Sequence, residues 1–332
     1  MVYIEQIKNI KDLDIAAMEK AKARWDNIAK PVGSLGAFED IVVKLAGITG
    51  SADVNLDKKA VIVMCADNGV LAQGVAQTPG GITAVMAGFI ADKRSSVCIM
   101  ARKAKADIIP VDMGMFTRIS NKNILDHHIA DGTNDFTQGP AMTKEQAQKA
   151  IQIGIELVKD CKEKGYKIIA TGEMGIGNTT TSSAVASVLL GLSAEKVTGR
   201  GAGLSDEGLA RKISTIKRGI EINKPDETDA FDVLHKLGGF DIAGLCGVFL
   251  GGAIHGIPVV IDGFISSVSA LVAERICPGA RDYMIPSHVS AEPACKAVLD
   301  ELGLHPVIHA GMRLGEGTGA VAVLPLIDMA LA

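Results

Sequence analysis

A chain of 332 residues can hold one large domain with an annex, or two modest domains, because a typical domain takes roughly 100 to 200 residues. Its 34 basic and 38 acidic residues give a formal net charge of −4 with no long run of either sign, which disfavours a nucleic-acid groove. Hydrophobic residues reach 48% while aromatic ones stay at 4%, beside 37 glycines, a balance that suits parallel α/β packing of small aliphatic side chains.

The chain opens Met-Val-Tyr-Ile-Glu-Gln-Ile-Lys, without the basic cap and apolar block of a signal peptide, so secretion is not expected. Ile15, Met18, Trp25 and Ile28 recur at helical spacing, as do Leu35, Phe38, Val42 and Leu45. They predict two amphipathic helices joined at Lys30-Pro31-Val32-Gly33. Short aliphatic runs follow at residues 61–66, 108–111, 167–170, 257–261 and 307–308, and these read as buried parallel strands of βαβ units. Between them, Thr143 and Gln146 are spaced as a capping box, Ala147, Ile151, Ile155 and Val158 share a face, and Gly165 marks a helix stop. Residues 242–261 carry no Asp, Glu, Lys or Arg and are long enough to span a bilayer. Glycines, His255 and Pro258 inside the stretch point instead to a buried helix followed by a buried strand.

The expected fold is a Rossmann-like parallel sheet with helices on both faces. Residues 1–55 are assigned to a small helical domain that residues from about 320 to 332 rejoin, and residues 56–319 to the large α/β domain. Cys65, Cys98, Cys161, Cys246, Cys277 and Cys295 lack any C-x-x-C spacing, which fits neither a zinc site nor a disulfide framework and favours a cytoplasmic protein.

Ligands of an open parallel sheet bind beyond the carboxyl ends of its strands. There the chain places Thr171-Gly172-Glu173-Met174-Gly175-Ile176-Gly177-Asn178-Thr179, whose glycines let backbone approach an anion and whose Asn and Thr can cap the next helix. An ordinary capped turn is the alternative. A second glycine turn, Gly199-Arg200-Gly201-Ala202-Gly203, precedes a helix carrying Lys212, and the two turns with that lysine form a plausible cradle for one phosphate. Glu316, between Gly315 and Gly317, is either a helix-start carboxylate or a base, and Asp262 and His288 invite the same comparison. No Walker loop, G-x-S-x-G elbow or H-E-x-x-H occurs, and no strand is followed by a clean G-x-G-x-x-G with a downstream acid, so metal, ATP and dinucleotide readings lose ground.

These motifs together resemble the nicotinate-nucleotide:dimethylbenzimidazole phosphoribosyltransferase family, which activates the lower ligand of cobamides. The likeness runs through Lys30-Pro31-Val32-Gly33-Ser34-Leu35-Gly36, Ala66-Asp67-Asn68-Gly69-Val70, residues 172–181, Gly199 to Gly203, Gly238-Gly239-Phe240-Asp241, Asp262-Gly263-Phe264, residues 287–293 and residues 313–319. The resemblance implies a dimer, homodimeric or built with a homologous chain, and no cofactor or metal. It implies Glu316 as catalytic base and Glu173 as second active-site carboxylate. By the same resemblance Gly175, Gly177, Asn178, Thr179, Gly201, Gly203, Lys212 and Arg313 hold the nucleotide phosphate, and Asp262 and Ser290 lie near ribose and nicotinate. The implied partners are nicotinate mononucleotide and an aromatic base, with no nucleic acid and no membrane.

Asn68 stands where many members have histidine, and Gln77, Thr78, Val85 and Met86 line the acceptor pocket by motif position. Thr78 replaces an aromatic and Val85 a residue that is often glutamine, so broader acceptor tolerance is expected, extending to phenols or p-cresol as an alternative reading.

Overall fold

The apolar runs become six parallel strands, β1 (Lys59–Ala66), β2 (Ala106–Gly114), β3 (Leu125–Asp126), β4 (Ile168–Met174), β5 (Val259–Ile261) and β6 (Met284–Pro286), in the order β3-β2-β1-β4-β5-β6. This computed structural model describes residues 2–8 and 10–332. The order reverses between β1 and β4, so the crevice past their carboxyl ends is the topological switch point where such sheets bind ligands.

Around the sheet run α1 (Val2–Ile7), α2 (Ile15–Asp26), α3 (Ala37–Thr49), α4 (Ile82–Ala91), α5 (Ser96–Ala104), α6 (Lys144–Glu163) and α7 (Asn178–Leu190). They are followed by α8 (Ala194–Val197), α9 (Asp206–Asn223), α10 (Ala230–Leu237), α11 (Phe240–His255), α12 (Phe264–Ile276), α13 (Cys295–Glu301) and α14 (Thr318–Leu331). Every residue of β1 is buried, which is why it reads as an unbroken aliphatic run rather than an alternating one.

The capping box forms as spaced: Gln146 N donates to Thr143 Oγ1 at 3.2 Å and Thr143 N to Gln146 Oε1 at 2.9 Å. Residues 242–261 resolve into most of α11 and all of β5, and among the described residues no helix is long and apolar enough to cross a membrane. The glycines of α11 serve close packing. A methyl group on Gly247, or on Gly154 of α6, would run into the backbone of the facing helix.

Three expectations need correction. Residues 307–308 do not add a strand; Ile308 makes one isolated parallel bridge to His288, and Pro306 removes the donor that a longer ladder would use. The sixth strand comes instead from Met284–Pro286, a run too short and too proline-bounded to stand out in the sequence. On α2 the buried face is Ala17 and Ala21 against Ala46, whereas Ile15 and Ile28 are 61% and 50% exposed. Small side chains there let α2 lie close on α3. Leu35 lies in the turn before α3 rather than on it. Helix α3 sends Ile41 and Leu45 into the main core, and α14 packs on α3, α5 and β4.

Candidate functional site

At the switch point lies a cleft with about 1000 Å³ of empty space, its open mouth included. It is bordered by the segment after β4, the turn at residues 200–204, the loops after β5 and β6, and the segment before α14.

One end is cationic. Lys212, on α9, is fully buried and donates from Nζ to Thr179 Oγ1 at 2.8 Å and to the Gly199 carbonyl at 3.2 Å, tying the two glycine turns together. Burial pushes its ammonium down to about 8, opposed by the Glu292 carboxylate. Gly201 needs its glycine: φ is +55°, and a Cβ would sit 3.1 Å from Thr179 Oγ1. Its N–H donates to Glu292 Oε1 at 3.1 Å, while the other Glu292 oxygen is buried without a hydrogen-bond partner among the described residues. Arg313 stands exposed at the rim. Helix α7 starts from Gly177, at φ +95°, without a side-chain cap, so its N-terminus points its partial positive charge at this end.

The other end is crowded with acids. Glu173 is the penultimate residue of β4 and borders the cleft, 7% exposed. Burial pushes its carboxyl up to about 8, helped by the charges of Asp241, Asp262 and Glu316 and opposed by the Asn178 amide. Asn178 Nδ2 donates to Glu173 Oε2 and, at 3.1 Å, to Asp241 Oδ2. The side chain of Asn178 is expected to cap α7, but it bridges two carboxylates instead, while the residue still lines the cleft. Asp241 is wholly buried at the start of α11, and burial raises it to about 6.

Asp262 lines the cleft but spends both carboxylate oxygens on α14, accepting from Gly317 N at 3.2 Å and Ala320 N at 2.9 Å. Ser290 borders the cleft beside it. Glu316 does not border the open cleft; its neighbours Leu314 and Gly315 do. Its φ is +60°, which a non-glycine residue holds at a cost of order 1–3 kcal/mol, and its Oε2 is buried without a hydrogen-bond partner among the described residues. Burial raises its carboxyl, opposed by the backbone N–H of Val97. Strain and an unsatisfied carboxylate oxygen together mark a position kept for something other than stability.

Gly175, Gly177, Gly203, Gln77 and Thr78 all line the cleft, and Gln77 Nε2 donates to the Gly203 carbonyl at 2.6 Å. Val85 and Met86 do not: they lie on α4, with Val85 half-exposed. The same helix reaches the cleft wall through Thr83, whose Oγ1 accepts from Ile176 N at 3.2 Å.

Sequence reasoning assigned no role to Asp241, Asn68 or Glu292. A signal existed in Gly238-Gly239 and Gly175, because a Cβ on Gly239 would strike the Asn68 and Asp241 side chains, and one on Gly175 would come within 2.6 Å of Asp241 Oδ2.

A family model described as phosphoribosyltransferase matches residues 10–332. A curated nicotinate-nucleotide–dimethylbenzimidazole phosphoribosyltransferase of Ruminiclostridium cellulolyticum is 48% identical, over 100% of this chain and 94% of the relative. The protein of the same name from Clostridium acetobutylicum is 47% identical over 98% and 92%. The crystal structure of CobT from Thermus thermophilus superposes with a TM-score of 0.91 at 34% identity, covering 95% of each chain.

Proposed function

The chain belongs to the nicotinate-nucleotide–dimethylbenzimidazole phosphoribosyltransferase family, and from that membership we propose that it moves ribose 5-phosphate from nicotinate mononucleotide to an aromatic lower-ligand base, dimethylbenzimidazole or a close relative, in cobamide assembly. The observation that carries this reading is the fully buried Lys212, held between two glycine turns at one end of the cleft with Glu173 at the other. A phosphate at Lys212, Gly201, Gly203 and the α7 N-terminus, with Arg313 at the rim, directs the sugar toward Glu173. Asp262 and Ser290 border the space between, on the ribose and nicotinate side.

The reaction breaks the C1′–N bond of the nucleotide, and the bonding pair returns to the cationic pyridinium nitrogen, so nicotinate departs without a proton. Positive charge grows at C1′, and an ionised Glu173 in a site sheltered from water stabilises it. The acceptor nitrogen forms the new bond from the opposite face, which inverts the β-nucleotide to an α-riboside. The proton on the other ring nitrogen of the acceptor passes to Glu316, whose unpartnered buried oxygen supports a role as general base. Gln77 and Thr78, at the cleft, make up the acceptor side in this reading.

The same reading divides the chain into a small helical unit, residues 1–55 with about 320–332, and a catalytic unit, residues 56–319. It places the enzyme in the cytoplasm, supported by six buried, unbridged cysteines. It also makes the enzyme a dimer, supported by an apolar groove that includes Trp25, Ile28, Leu35 and Met329. Incubating the purified chain with nicotinate mononucleotide and dimethylbenzimidazole tests the proposal. Equimolar nicotinate and α-riboside 5′-phosphate are expected; no nicotinate, or a β-riboside, would refute it.

A further inference from the structure

Behind the cleft wall, one amide serves two acids. Asn178 uses its Nδ2 group for Oε2 of Glu173, a residue that borders the cleft, and for Oδ2 of Asp241, which is fully buried and does not border it. Asp241 is itself fixed, its Oδ1 accepting from Ile242 N at 3.0 Å at the start of α11. Asn68, after β1, packs beside Asp241 with a neutral amide, its Oδ1 accepting from Thr181 Oγ1 at 3.3 Å. No ion pair forms on Asp241 or Glu173 among the described residues, so neutral amides alone separate the two carboxyls.

We propose that Asp241 is a positioning residue for the transfer, acting through the Asn178 amide to orient the Glu173 carboxylate and to set when it ionises. This rests on Glu173 being the carboxylate that faces C1′. Two like charges sharing one amide in a buried site cannot both ionise cheaply. Of the charges acting on Glu173, Asp241 acts most strongly, followed by Asp262 after β5 and Glu316 before α14, while Asn178 of α7 acts the opposite way. In the empty site Glu173 therefore keeps its proton near neutrality and gives it up as the cationic nucleotide arrives.

The pH profile of kcat/KM reads this directly, since that ratio reports groups of the free enzyme. The wild-type ascending limb is expected near pH 8, from Glu173. Asp241→Asn removes the repelling charge and is expected to move that limb to lower pH by roughly one unit. Asn178→Ala removes the stabilising amide and is expected to move it to higher pH. Because burial also pushes the Lys212 ammonium down to about 8, these profiles are taken with nicotinate riboside, which carries no phosphate for Lys212 to bind.

An ascending limb unmoved in a folded Asp241→Asn enzyme, or shifted the same way by both substitutions, would overturn the inference. If Asp241→Asn does not fold, an Asn178→Ala limb that fails to rise overturns it alone. Glu173→Gln separates the two levels. Full turnover in that variant sinks the assignment of Glu173 and this inference with it, whereas lost turnover beside an unmoved limb sinks the inference only.

Discussion

The two ends of the cleft are built on opposite principles. At the cationic end, one buried ammonium spends two of its three N–H groups on Thr179 and Gly199, and the other donors are backbone N–H groups whose placement depends on glycine. At the acidic end, Glu173, Asp241, Asp262 and Glu316 gather with few cations near them, and two of them are pushed up to about 8 and about 6. The first arrangement leaves donors free for an anion, at the uncapped start of α7 above all. The second holds like charges together against repulsion, and a developing cation relieves that repulsion. On the proposed reading, ground-state binding belongs to the cationic end and transition-state stabilisation to the acidic one.

Substitutions at the two ends should fail in different kinetic constants. The largest effect is expected for Glu316→Gln, which removes the base: turnover falls by at least about a hundredfold, since general base catalysis contributes roughly 10²–10⁴, while nucleotide affinity measured by calorimetry is unchanged. Near-normal turnover would remove Glu316 from the mechanism. Next comes Lys212→Ala, which deletes a charge-assisted contact worth roughly 1.5–3 kcal/mol. Its expected signature is a nucleotide KM raised about ten- to hundredfold with kcat much less affected; a loss confined to kcat would place Lys212 at the wrong end.

The smallest effect is expected for Asp262→Ala, because the carboxylate holds the first turn of α14 through Gly317 N and Ala320 N. Loss of such a cap costs about 1–2 kcal/mol, measurable by urea unfolding. Unchanged stability with strongly impaired ribose binding would show that the structural role assigned to Asp262 is the lesser one.

The convergence of residues at the cationic end was legible in the sequence because glycine-rich turns and a lysine on the following helix are local patterns. Gly175, Gly177, Gly201, Gly203 and Lys212 all meet where spacing suggested. The acidic end was legible only in part. Glu173 and Glu316 stand out between glycines, but their coupling to Asp241 depends on β4, α7 and α11 converging at the switch point, a relation no single stretch records. Asn178 shows the limit well: an asparagine at a helix start is normally read as a cap, and here tertiary demand from two carboxylates overrides that local preference. In the fold, long aliphatic runs such as β1 were readable, whereas β3 and β6, of two and three residues, carry too little pattern to see. The alanine face of α2 was hidden for a related reason, since hydrophobic periodicity gives weight to Ile15 and Ile28 over the small residues that actually pack.

The division of labour between the two ends can be tested by one comparison, the ratio of kcat/KM for nicotinate mononucleotide to that for nicotinate riboside, measured in the wild type, Lys212→Ala and Glu316→Gln. The account predicts that this preference for the phosphate collapses by about ten- to hundredfold in Lys212→Ala and survives intact in Glu316→Gln despite its low turnover. A Lys212→Ala enzyme that still discriminates as the wild type does, or a Glu316→Gln enzyme that no longer does, would contradict it.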